Sequence, residues 1–108
     1  MLYTLFFSRL HDLGDAGTAE YQKRVGALKA LAEAEHPGFL GMKSYVAEDG
    51  ERLTVVRFRD AESQRAWRLD PSHREAQVRG RTHYYERFHI VVCEERHAHE
   101  FTRASEEG

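Results

Sequence analysis

Apolar side chains run almost unbroken from Leu2 to Leu10, with Leu2, Phe6 and Leu10 on one alternation and Tyr3, Leu5 and Phe7 on the other. A strand of this kind is apolar on both faces, and both must be covered. The spacing then lengthens from two to three and four. After a Gly/Asp loop over residues 11–17, Thr18 offers an N-cap, and Tyr21, Val25, Leu28 and Ala32 line one stripe of a helix running through about Glu35. Gln22, Lys23, Lys29 and Glu33 take the water side. His36-Pro37-Gly38 stops the helix, and residues 39–48 and 52–59 read as strands turned by Asp49-Gly50.

Residues 58–93 organise the rest. Phe58-Arg59 closes an apolar run, and the Asp60 carboxylate can cap a helix that starts at Ala61 and carries Ala66, Trp67 and Leu69. Asp70-Pro71 interrupts that helix, because the residue before a proline is pushed out of helical geometry and Pro71 suits the first position of a new turn. A second short helix over 73–79 is expected to end at Gly80. The run 84–93 is so rich in aromatic and β-branched residues that it predicts a long strand, with Tyr85, Val91 and Cys93 on one face and Tyr84, Phe88, Ile90 and Val92 on the other.

The order β-α-β-β-α-β predicts an α+β, ferredoxin-like fold: a four-stranded antiparallel sheet with its helices on one face. Helices on one side leave the other faces of the first and last strands bare. That patch is larger than a monomer usually tolerates, so a second copy of the same sheet is the expected cover.

Composition narrows the setting. A chain of 108 residues makes one domain, burying about two-thirds of its unfolded surface. Its 16 basic and 18 acidic residues give a net charge of -2, so no summed field favours nucleic acid or an anionic membrane. The lone Cys93 closes no disulfide within the chain, and with no signal peptide or long apolar span the expected location is the cytoplasm. The domain is expected over 1–101 with a polar tail over 102–108, in which Phe101 is the one anchor.

No dinucleotide, phosphate-loop, nucleophile-elbow or paired-cysteine motif is present, and the chain has no Asn. Weaker constellations remain. Trp67 faces inward on its helix, as a pocket wall or as an ordinary core residue. His73 shares the small, polar side of the second short helix with Ala76, Gln77 and Gly80, and there it either meets a ligand or bonds locally, for instance to Asp70. Arg87 and His89 alternate with Tyr85 on the last strand and need partners on an apolar face, be they carboxylates or an anionic ligand. The expected cavity between helices and sheet is therefore ringed by Trp67, His73, Tyr85, Arg87 and His89. His97 and His99 have strand spacing, but two ligands are too few for a zinc site, and no metal is expected.

Pro37-Gly38-Phe39-Leu40-Gly41, Trp67, Ser72-His73-Arg74-Glu75-Ala76-Gln77 with Gly80-Arg81, Tyr85 and the closing run 88–96 together resemble the antibiotic biosynthesis monooxygenase domain family over residues 2–101. The resemblance implies a dimeric ferredoxin-like α+β barrel whose two sheets pack face to face. One group of that family oxidises aromatic polyketides with O2 and no cofactor, using an Asn, a Trp and an Arg. Trp67 matches the Trp and Arg87 the Arg, while the Asn position falls near Ser63. A second group binds and degrades haem through a His ten residues after the Trp, where this chain has Gln77.

Three functions are thus in view. The first is a cofactor-independent monooxygenase acting on a small electron-rich aromatic, with Trp67, His73 and Arg87 catalytic and Tyr85 and His89 binding the substrate. The others are a non-catalytic, small-molecule-binding or stress-linked homodimer, and a haem-binding relative.

Overall fold

A computed structural model describes residues 1–104 of the chain. The elements run β1 (Leu2–Leu10), α1 (Gly14–Glu35), β2 (Phe39–Val46), β3 (Arg52–Phe58), α2 (Ala61–Leu69), α3 (Pro71–Arg79), a π-helical turn (Gly80–Tyr84) and β4 (Tyr85–Glu94). The sheet order is β2-β3-β1-β4 with every neighbouring pair antiparallel, which is the expected ferredoxin-like α+β arrangement. The proposed tail at 102–108 continues a stretch without secondary structure, and residues 105–108 lie outside the described residues. Among the described residues no helix is long and apolar enough to cross a membrane.

Local chemistry explains most boundaries. Asp60 Oδ1 accepts from Ser63 N at 2.8 Å and caps α2, while Asp70 accepts from Ser72 N at 2.8 Å and caps α3 with Pro71 in its first turn. Several boundaries differ from the sequence reading, three of them with a local cause in plain view. α1 begins at Gly14 rather than after Thr18, because the Asp12 carboxylate accepts from the Gly14 N–H at 3.1 Å and Gly14 turns into the helix with φ 67°. The β2–β3 turn is wider than Asp49-Gly50 alone: Ala47 N–H donates to Glu51 O and Gly50, at φ 89°, donates to Ala47 O. Gly80 does not end α3; it opens the π turn, and a Cβ there would lie 2.7 Å from the Tyr85 ring.

Leu2, Phe39, Val56 and Phe58 from the sheet meet Ala32 of α1 and Trp67 of α2 in the core, with Leu28, Leu31 and Met42 around them. Phe58 is 1 % exposed and centres this layer. Cross-strand partners share a face, so the pairs Leu2–Phe58 and Thr4–Val56 place Leu2, Thr4, Phe6 and Ser8 toward the helices, together with Phe88, Ile90 and Val92 of β4. The helices stop short of that edge strand, leaving these three residues exposed. Tyr3, Leu5, Phe7, Leu53, Val55, Val91 and Cys93 form the opposite face, which no element among the described residues covers.

Candidate functional site

The corner where α1 ends and α2 passes into α3 collects the groups with the most chemistry. Trp67, on the inward face of α2, is 7 % exposed. The His73 ring stacks on it with centroids 4.6 Å apart and 24° between planes, the His36 ring meets it edge-on at 5.1 Å, and Phe39 stands at 6.3 Å. His36 reaches this corner because it caps the C-terminus of α1, and there its Nε2 lies 2.8 Å from Asp70 Oδ2. That hydrogen bond, assisted by the backbone N–H of Ser72, holds the Asp70 carboxyl below the usual carboxylate range. Burial pushes His73 below the ordinary histidine value, with the Arg68 and Trp67 carbonyls opposing the shift. Those carbonyls stand near the ring, but His73 Nδ1 is buried and makes no hydrogen bond of good length and angle to them.

The five residues expected around one cavity divide into three places. Trp67 and His73 are together. Tyr85 does face the helices, but it belongs to a separate aromatic group: its hydroxyl lies 2.9 Å from that of Tyr21, and its ring packs edge-on against Phe6 and Phe88. Burial, followed by the Tyr21 neighbour, pushes its pKa far up, so it stays a neutral phenol. Arg87 and His89 lie on the opposite face, paired with Arg9 and Phe7; Arg87 Nη2 is 3.8 Å from Glu51 Oε2 and the His89 ring sits 6.2 Å from that of Phe7. A bulge is the reason. Leu10 pairs with Tyr85 and Arg9 with Arg87, so Glu86 is an extra residue that reverses the alternation between Tyr85 and Arg87. The single cavity of the sequence reading is therefore replaced by the Trp67–His73 corner.

Beside that corner lies a shallow groove of about 230 Å³ lined by His36, Pro37, Gly38, Arg59, Asp60, Glu62, Ser63 and Ala66. Ser63 and Trp67 are one turn apart on α2, and a Cβ on Gly38 would overlap the Ser63 side chain. His36 and Asp70 were not singled out as a site by the sequence. Each was legible only as a helix boundary, and nothing local joins residues 34 positions apart.

No family model matches the sequence. The uncharacterized protein YqjZ of Bacillus subtilis strain 168 is 31% identical over 91 residues, which span 84% of this chain and 76% of YqjZ. The chain belongs to the YqjZ family. Solved structures relate the fold of this YqjZ-family chain to that of the antibiotic biosynthesis monooxygenases. SnoaB from Streptomyces nogalater, described as a cofactor-independent oxygenase, superposes with a TM-score of 0.72 at 15% identity, covering 90% of this chain and 94% of SnoaB. Rv0793 from Mycobacterium tuberculosis gives 0.73 at 16% identity over 92% and 98% of the two chains. A Deinococcus radiodurans protein provisionally named an antibiotic biosynthesis monooxygenase gives 0.74 at 10% identity over 95% and 100%. The expected fold is thus the observed one.

Two departures from the resemblance take structural form in this YqjZ-family chain. Ser63, near the expected Asn position, gives its hydroxyl to Asp60 at 2.6 Å. Position 77 on α3, where the haem-binding group carries its ligating His, is Gln, and the His73 ring stacks on Trp67 with 24° between planes. Among the described residues no three His, Cys, Asp or Glu side chains gather as metal ligands; His97 and His99 are exposed beyond β4.

Proposed function

We propose that this YqjZ-family chain is a cofactor-independent monooxygenase that oxidises a small electron-rich aromatic with O2, working as a homodimer. The observation that carries the reading is the Trp67–His73 stack with its buried, unpartnered Nδ1. A buried polar atom without a partner costs about 1–3 kcal/mol, and a ligand hydroxyl would relieve that cost. The depressed pKa keeps His73 neutral near pH 7, so its ring can donate to or accept from a phenol without carrying charge. The likeness in fold to SnoaB supports the same chemistry.

In this reading a second copy covers the open sheet face, and Arg87 and His89 lie at the joint between copies rather than beside the substrate. The test is oxygen uptake by purified protein offered a panel of electron-rich phenols, with flavin and metals removed. Uptake is expected in the wild type and should fall by about 100-fold or more in His73→Phe, the span of a lost, positioned hydrogen-bonding group at developing charge. A second reading, a binding dimer without turnover, is favoured by the 7 % exposure of Trp67, since a ring can reach it only if α2 and α3 part slightly. Saturable binding of the same phenols with no oxygen uptake selects it.

A further inference from the structure

His36 and Asp70 are tied to neither the core nor the stack on Trp67 alone. The His36 side chain is 15% exposed and Asp70 12%, and His36 lines the groove on α2. With Nε2 donating to an ionised Asp70, the lone pair of the imidazole resides on Nδ1. Among the described residues Nδ1 has no hydrogen-bond partner and, unlike His73 Nδ1, it is not sealed from solvent. The edge of Trp67 and the bond to Asp70 hold the ring from two sides.

We infer that His36 is the proton acceptor of this groove, with Asp70 as its positioning residue, and that the groove takes a ligand with an ionisable phenol or enol hydroxyl. The O–H bond breaks heterolytically: the proton passes to Nδ1, the electron pair stays on the ligand oxygen, and Asp70 balances the imidazolium. No oxidant enters this step. The other titratable and charged groups around it are Arg59 just after β3 and Asp60 and Glu62 at the start of α2, which line the groove, and the neutral His73 on α3. Of these, Asp60 is already engaged by Ser63 and Arg59, which leaves the Asp70 bond to set the tautomer. This inference deepens the proposed oxygenase, for which substrate deprotonation would precede reaction with O2.

The probe is para-nitrophenol, whose phenolate has its own absorption band, bound anaerobically below the pH at which the free probe ionises. The wild type is expected to raise the phenolate fraction of bound probe above that of free probe. His36→Gln keeps a donor toward Asp70 but offers no basic nitrogen, and it should abolish the rise. Asp70→Asn preserves the helix cap, since Asn caps as well as Asp, yet should cut the rise by about tenfold or more through loss of the charge. Circular dichroism confirms that each variant is folded. A clamp between α1 and α3 with no proton-accepting role would leave the phenolate band unmoved. Bound probe that stays neutral in the wild type, a rise that survives His36→Gln, or no binding at all overturns the inference. Ionised probe in a protein that consumes no O2 retires the oxygenase and leaves His36 standing; oxygen uptake undiminished in His36→Gln does the reverse.

Discussion

At the scale of single residues, proton linkage gives a direct handle on the site. His73 has its folded-state pKa below the ordinary value of 6.5 because it is buried. The unfolded chain therefore binds that proton at a higher pH than the folded one, and stability drops as pH falls below about 6.5, until the folded value is reached. Asp70, also depressed, contributes stability above the ordinary carboxylate value of 3.8 that is lost only as pH falls through its lower folded value. Urea midpoints should thus decline from neutrality into mild acid, and His73→Phe should flatten that slope; an unchanged slope would remove His73 as its source. Phe58→Ala, at 1 % exposure, should cost about 3–5 kcal/mol in the same assay. Caps such as Asp60 were legible because the signal lies within three residues. The His36–Asp70 bond was not, because it is made by tertiary packing alone.

Among elements, the alternation of β4 was read correctly from Phe88 to Cys93 as two opposed rows, but which row faced the helices was not. A strand apolar on both faces carries no sign of which face is which, and the Glu86 bulge then separates Tyr85 from Arg87. The π turn beside the bulge is equally hidden in sequence, since glycine after Arg79 reads as a helix stop. Its requirement for Gly80 is testable. The Tyr85 ring that a Cβ would meet is held by the Tyr21 hydroxyl and by Phe6, so Gly80→Ala must displace it and should cost about 1–3 kcal/mol in unfolding free energy. A neutral or stabilising result would mean that the turn relaxes freely.

For the molecule as a whole, the radius of gyration is 16.0 Å, against about 13 Å for a compact chain of this length. Residues 96–104 account for part of that spread: they run exposed beyond β4 without secondary structure, and Phe101 is 77% exposed. We propose that this arm and the uncovered sheet face meet a second copy. Light scattering should give twice the 12.6 kDa chain mass, and truncation after Arg96 should weaken association at micromolar concentration. A monodisperse monomer would contradict the dimer, though not the corner at Trp67.

That corner carries the central claim, and its sole tryptophan reports on it without a label. Titrating the protein with electron-rich phenols while following Trp67 fluorescence tests the claim most directly. Saturating quenching at one ligand per chain, weakened in His73→Phe, is the result expected of a ring seated at the Trp67–His73 stack. Calorimetric binding of the same phenols with Trp67 emission unchanged would place the ligand elsewhere and contradict it.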